Sequence, residues 1–288
     1  MEPVYRSFPP GEAFPFRLVY KDTKQPQDEM PDHMHDWCEM VYVHSGQGTF
    51  LIDRTFYEMR AGDLFFIPPN CIHRAFPDSQ HPVTSTAVFF SPKWVRPEPD
   101  EGEALSPLRC FDRARETSRF RAATAIATRE YVASALDSFH AELQDAREGC
   151  RQFVRYGLLL LLLRLSRDVR TDAGPREQAP AHVPAWLESA LRYIDERPKA
   201  DLSLSALCKA TSVSPAHFSR TFKQAVGMTV TDYVVAKRVA LAKERLLRTD
   251  DHVQQIADDC GFESLPYFHK KFKKLTGYSP LAYKRQHA

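Results

Sequence analysis

The chain has 288 residues, 43% of them hydrophobic, with 39 Lys and Arg against 37 Asp and Glu, a formal net charge of +2. This length and composition allow two domains with a buried core each, and describe a soluble globular protein. The longest apolar run, Leu158 to Leu163 closed by Arg164, is far short of the roughly 18 residues a membrane span needs. Charge is uneven along the chain: residues 184–288 hold 17 Lys and Arg against 11 Asp and Glu, whereas residues 1–183 hold 22 against 26. A basic C-terminal part beside an acidic N-terminal part points to a polyanionic partner for the former. Met1 to Arg6 lacks an apolar signal core, and the cysteines at 38, 71, 110, 150, 208 and 260 show no CxxC spacing, so a cytoplasmic protein with reduced thiols is expected.

Residues 12 to about 95 read as short strands. Phe16–Tyr20, Cys38–Val43, Gly48–Ile52, Asp63–Ile67 and Val83–Phe90 are β-branched and aromatic, and Ser45-Gly46-Gln47-Gly48, Ala61-Gly62-Asp63 and Pro68-Pro69-Asn70 punctuate them. Closely spaced short strands predict a barrel or sandwich over residues 1–100. From Arg119 to Arg170 the pattern turns helical, with Leu136, Phe139, His140 and Leu143 at helical spacing and a second helix starting near Cys150. The apolar surface of that second helix is wider than one stripe, so residues 101–171 are expected to pack on the barrel, to pair subunits, or both. Residues 172–183, with Gly174-Pro175 and Ala179-Pro180, read as a linker.

Residues 184–288 repeat themselves. A shift of 50 places Ser214, Phe218, Phe222, Lys223, Gly227 and Tyr233 on Ser264, Phe268, Phe272, Lys273, Gly277 and Tyr283, and just upstream a shift of 49 places Leu207-Cys208 on Ile256-Ala257 and Val213 on Phe262. Each copy reads as helix, tight turn, helix: Leu204–Thr211 then a helix capped by Ser214 and opened by Pro215; Val253–Cys260, Gly261, then a helix capped by Ser264. Gly227 and Gly277 end the trailing helices. Cys208 and Ala257 are small where two helices cross closely. A long basic helix, Val230–Thr249, links the copies. In the trailing helices Phe218, Phe222 and Val226, then Phe268 and Phe272, face inward, leaving basic outer faces.

Ser214-Pro-Ala-His-Phe-Ser-Arg-Thr-Phe-Lys223 with Gly227, the Arg238…Ala242…Leu246-Leu247 helix, and Ile256-Ala257…Gly261-Phe262…Tyr267-Phe268…Phe272-Lys273…Gly277…Ser279-Pro280…Tyr283 resemble the DNA-binding domain of the AraC/XylS family of bacterial regulators. The resemblance implies that each trailing helix enters the major groove, about one DNA turn apart. It implies base contacts from Ala216, Ser219 and Arg220 and from Tyr267, His269 and Lys270. Arg220 suits bidentate contact with guanine, while Lys223, Lys273 and Lys274 suit phosphates. Double-stranded promoter DNA, RNA polymerase and a second copy of the chain are the implied partners.

In the barrel, His33, His35 and Glu39 have even spacing and are expected on one strand face with Trp37, Val41 and Val43. With Gly46, and with Gly62, Pro68 and His73 further on, they resemble the two cupin motifs HxHx3Ex6G and Gx5PxGx2H, except that Asn70 stands where the second has Gly. In cupin enzymes such a set holds a transition metal; in sensory barrels of AraC-type regulators it lines a pocket for a small effector, often a sugar. His33, His35, Trp37, Glu39 and His73 are therefore expected to bind an effector without a metal cofactor, a metal on His33, His35, Glu39 and His73 or a purely packing role being the alternatives. The expected architecture is a cupin-like β-barrel with a helical dimerisation segment, followed by an all-α double helix-turn-helix domain. The expected function is regulation of transcription, most simply activation, by a non-enzyme; a metal-dependent cupin enzyme with a DNA-binding appendage is the rival reading.

Overall fold

The computed structural model describes residues 4–5, 12–26, 33–95, 105–168 and 183–287. Two five-stranded sheets face each other at the N-terminal end. The first has the order β1 (Val4–Tyr5), β3 (His33–Met34), β8 (His73–Pro77), β5 (Gly48–Ile52), β6 (Thr55–Met59); the second has β10 (Arg121–Ala122), β7 (Leu64–Ile67), β4 (Cys38–Ser45), β9 (Val83–Phe90), β2 (Phe16–Lys24). Every pairing but β1 with β3 is antiparallel. Strand β4 lies between β7 and β9 and is buried from Cys38 to Val43. Such a strand has no solvated face, which explains why it is apolar on both sides apart from Glu39: one side turns into the barrel, and the other meets helices.

Those helices follow the barrel: α1 (Pro92–Val95), α2 (Arg109–Thr117), α3 (Ile126–Asp145) and α4 (Cys150–Asp168). Phe111, Leu136, Phe139, Leu158, Leu161, Leu162 and Leu165 share one buried cluster with Met40, Tyr42, Val88 and Phe90 of the second sheet. Helices α3 and α4 approach closely at Gly157, where a Cβ would lie 2.7 Å from the Phe139 ring. The leucine run is thus covered by the sheet and by α3. One stripe of α4 stays uncovered: Phe153, Tyr156 and Leu160 are 50%, 60% and 63% exposed.

Several expectations need correction. The interval Thr55–Met59 is a strand paired with β5 across the two-residue turn Asp53-Arg54, with Asp53 at φ 58°; that turn carries neither Gly nor Asn, so it escaped the hairpin signal. His73–Pro77 is also a strand. The helix expected from Arg119 begins at Ile126, because Arg121–Ala122 pair with Phe65 and Leu64 as an edge strand, and the unexpected α2 precedes it. The proposed linker 172–183 lies outside the described residues except for Val183.

The C-terminal part comprises α5 (Ala185–Glu196), α6 (Leu204–Thr211), α7 (Pro215–Val226), α8 (Val230–Arg248), α9 (Val253–Asp259), α10 (Leu265–Thr276) and α11 (Pro280–His287). Two cores, one around Phe218, Phe222 and Tyr233 and one around Phe268, Phe272 and Tyr283, sit on either side of α8. Gly227 and Gly277 close α7 and α10 at φ 90° and 80°. Ser264 caps α10 by accepting a bond from the Tyr267 amide, but the Ser214 hydroxyl caps nothing; there Pro215 at the first turn, and Ser214 in extended backbone, start the helix.

The two parts are packed together. Met34, Leu51 and Phe56 of the first sheet, with Ile72 just before β8, enter the same apolar cluster as Leu187, Phe222 and Tyr233. Beside them Lys237 of α8 stands 2.5 Å from Asp53 and 2.7 Å from Asp195, and the Tyr233 hydroxyl donates to the Asp53 carbonyl at 3.0 Å. Arg115 of α2 pairs with Glu244 of α8. The Lys243 ammonium donates to the Asn70 side-chain oxygen and lies over the Tyr283 ring at 5.2 Å. Lys237 and Lys243, two of the cations that make this helix basic, face the barrel. Burial pushes the Lys243 ammonium down to about 8, whereas Asp53 and Asp195 overcome burial and hold Lys237 well above its ordinary value.

Candidate effector site and nucleic-acid interface

The chain does not carry His33, His35 and Glu39 on one strand. Strand β3 ends at Met34, residues 36–37 bend, and β4 starts at Cys38 in the opposite sheet. The side chains still converge, now across the barrel: His33 pairs in register with His73 on β8, and Glu39 reaches them from β4. His33, His35, Glu39 and His73 are all buried, and one ligand atom from each lies within 4.8 Å of the others. His35 Nε2 and His73 Nε2 stand 3.0 and 2.9 Å from the same oxygen, Glu39 Oε2. The His33 and His73 ring centroids are 4.2 Å apart. Trp37 offers this group its backbone carbonyl; its ring packs with Phe89, Val19 and Ala87, and Phe89 meets the His35 ring at 5.5 Å.

The donor pattern is informative. His35 Nδ1 faces the Trp37 carbonyl at 2.9 Å, and His73 Nδ1 faces the Cys71 carbonyl at 3.0 Å. A carbonyl only accepts, so both Nδ1 atoms carry the proton, and a neutral ring presents its Nε2 lone pair to a carboxylate oxygen. Two lone pairs facing a carboxylate need a proton or a cation between them. Burial lowers the His35 pKa despite Glu39, which disfavours the proton there. Burial would also raise the Glu39 carboxyl, yet His73 and His35 outweigh it and hold it well below its ordinary value. The three imidazoles and one carboxylate, with the His35 and His73 Nδ1 atoms anchored to carbonyls, therefore fit a divalent transition metal, which His33, His35, Glu39 and His73 would hold.

Asn70 connects this cluster to the second domain. Its backbone adopts φ 66°, the left-handed conformation for which the cupin motif uses Gly and which Asn tolerates best among residues with a side chain. Its amide donates to the His35 carbonyl at 2.7 Å, and its side-chain oxygen takes the Lys243 ammonium. The departure from the motif is thus a contact between the two domains.

On the nucleic-acid side, Ala216, Ser219, Arg220 and Lys223 are exposed on α7, opposite the buried Phe218, Phe222 and Val226. On α10, Tyr267, Lys270, Lys273 and Lys274 are exposed and His269 is half-buried, opposite Phe268 and Phe272. Arg220 and Lys270 occupy corresponding outward positions, so the two units present cationic side chains on outer faces.

Comparison with known proteins agrees with this geometry. Residues 16–162 match a family model described as an AraC-like ligand binding domain, and residues 207–286 one described as a helix-turn-helix domain. The chain belongs to the AraC family and is a DNA-binding transcription regulator with an N-terminal ligand-binding domain. The HTH-type transcriptional activator RhaR from Escherichia coli is 26% identical over 262 residues, spanning 89% of this chain and 88% of the relative. The C-terminal domain of AraT, a response regulator from Geobacillus stearothermophilus, is 30% identical and covers 37% of this chain and 89% of its own, with a TM-score of 0.36. ToxT from Vibrio cholerae is 10% identical and covers 94% of this chain and 98% of its own, with a TM-score of 0.37. No helix among the described residues is long and apolar enough to cross a membrane.

Proposed function

We propose that this chain is a one-component transcriptional activator, not an enzyme, that acts in the cytoplasm as a homodimer on promoter DNA and RNA polymerase. Its effector is a small polar molecule, of sugar size and chemistry, bound at His33, His35, Glu39 and His73 with Trp37 at the rim. The observation that carries this reading is the hydrogen-bonded path from the buried cluster to the helix between the two DNA-binding units: the His35 carbonyl to the Asn70 amide, then the Asn70 side chain to Lys243 of α8. An occupant that moves His35 by a fraction of an ångström changes the seat of α8, and with it the relation of α7 to α10. The relatives named as activators support activation. The exposed Phe153, Tyr156 and Leu160 lie on one face of α4 and support pairing of two copies.

A second reading of the same cluster, favoured by the two Nε2 atoms facing one carboxylate oxygen, is that a divalent metal holds the effector or senses its own concentration. One experiment addresses both. Untagged protein is analysed for metal and screened by thermal shift against sugars, as wild type and as Glu39→Gln. A sugar response that Glu39→Gln abolishes, without stoichiometric metal, supports the first reading. Stoichiometric metal lost in Glu39→Gln supports the second. If Glu39→Gln and His73→Ala leave ligand response, metal content and promoter activity unchanged, both readings are wrong.

A further inference from the structure

A cavity of about 680 Å³ opens between the barrel and α5, away from the histidine cluster. Six arginines line it: Arg54 and Arg60 at the two ends of β6, Arg119 and Arg121 at β10, Arg129 on α3, and Arg192 on α5. Among the lining residues the carboxylates are Asp63 and Glu188. Just outside, Glu58 takes Arg60 at 2.6 Å and Asp195 takes Arg54 at 3.5 Å. Among the described residues, six guanidiniums thus face four carboxylates, one of which, Asp195, is already held by Lys237 at 2.7 Å.

The arginines differ in how far they are engaged. Arg121 reaches Asp63 at 3.2 Å, but Arg129 donates only to the Thr124 hydroxyl at 3.0 Å, and Arg192 has no hydrogen bond or ion pair among the described residues. Arg54 Nε is buried without a hydrogen-bond partner among the described residues. A surplus of two positive charges, guanidinium forks that match planar or tetrahedral oxyanions, and the Ser118 hydroxyl, which accepts from Arg54 at 2.8 Å and keeps its own proton to donate, define the occupant's chemistry. The volume suits a small metabolite.

We propose that this cleft is a second effector site, for a small dianion: a phosphate monoester or a dicarboxylate. Because one wall is α5, the first helix of the DNA-binding part, and the others belong to the barrel and α3, a bound dianion ties the two parts together. The site is independent of the histidine cluster.

The test uses the full chain and calorimetry with thermal shift at matched ionic strength. Inorganic phosphate, glucose 6-phosphate and succinate are the dianion probes, and glucose is the uncharged control. At least one dianion binds and raises the melting temperature. Tighter binding of glucose 6-phosphate than of inorganic phosphate marks a phosphate ester, and a preference for succinate marks a dicarboxylate. Arg129→Gln with Arg192→Gln weakens binding at least tenfold and leaves the unliganded melting temperature and DNA affinity unchanged. Arg129→Lys, which keeps the charge but loses the fork, gives an intermediate affinity. Glu39→Gln leaves dianion binding intact, so failure of the barrel reading and failure of this one are separable. The proposal is overturned if no dianion binds better than chloride, if binding survives the arginine pair, or if the pair lowers DNA affinity without any probe, which would assign the cleft to DNA phosphates.

Discussion

Replacing Lys237 with methionine tests whether the barrel is seated on α8. The ammonium lies 2.5 Å from Asp53 and 2.7 Å from Asp195, and the three side chains are 19%, 15% and 12% exposed. At an effective dielectric of about 20, each contact carries roughly 6 kcal/mol of Coulomb attraction, most of it offset by desolvation. What the variant feels is the remainder: two carboxylates left near each other, with Arg54, 3.5 Å from Asp195, as their remaining cation. Losing one partner of a buried pair costs about 3–5 kcal/mol, and the residual exposure here places the loss near 3. The deficit is pH-dependent. Burial already raises the Asp195 carboxyl, and loss of Lys237 raises it further. The folded variant is therefore penalised at pH 7. The penalty shrinks as pH falls through the raised Asp195 value, because a proton then replaces the ammonium. Urea unfolding of wild type, Lys237→Met and Lys237→Met with Asp53→Asn measures it. The double variant recovers part of the loss, since the second unpaired carboxylate is gone. A loss below about 1 kcal/mol, the range of solvated surface pairs, or no recovery in the double variant, refutes the buried interface.

Other substitutions probe other parts of the account. Leu160→Asp with Tyr156→Asp leaves the fold intact and yields a monomer in sedimentation at tens of micromolar, an ordinary range for dimer dissociation; an unchanged mass would remove α4 from the interface. Gly261→Ala destabilises the second helix-turn-helix unit by about 1–3 kcal/mol, because Gly261 has φ 87° and a Cβ there would lie 2.1 Å from the Pro198 carbonyl oxygen. A melting curve matching wild type would contradict it. For a metal held by the cluster, binding needs neutral imidazoles and an ionised Glu39, so occupancy falls as pH drops below about 6. Occupancy that stays constant down to pH 5 would argue against those ligands.

The C-terminal part was the most readable in the sequence because its signals are local. Two copies of the same turn, with Gly227 and Gly277 at matching positions, fix helices whose buried face is set by Phe218, Phe222, Phe268 and Phe272. The barrel was readable only in part. The four side chains that the motif singled out do converge, but the spacing argument placed three of them on one strand, and the chain bends at residues 36–37 and delivers Glu39 from the other sheet. Strand β6 follows a turn made by Asp53 in a left-handed conformation, which no turn composition announced. The interdomain contacts were illegible because they join distant segments: nothing near Lys237 or Lys243 shows that Asp53 and Asn70 meet them. Asn70 did carry a signal, as the one departure from the cupin motif, but its meaning needed the helix that it touches.

The account rests on two outward helix faces that read DNA as separate halves, and selection of bound sequences from random duplex DNA tests this most directly. Wild type, Arg220→Ala and Lys273→Ala are carried through the same selection at fixed salt. The account predicts a bipartite site with its halves about one turn apart. Arg220→Ala loses base preference within one half and about 1–3 kcal/mol on the wild-type site. Lys273→Ala keeps the preference and weakens binding evenly. Failure of the wild-type chain to enrich any sequence, or an even loss of affinity in both variants with every preference retained, would contradict it.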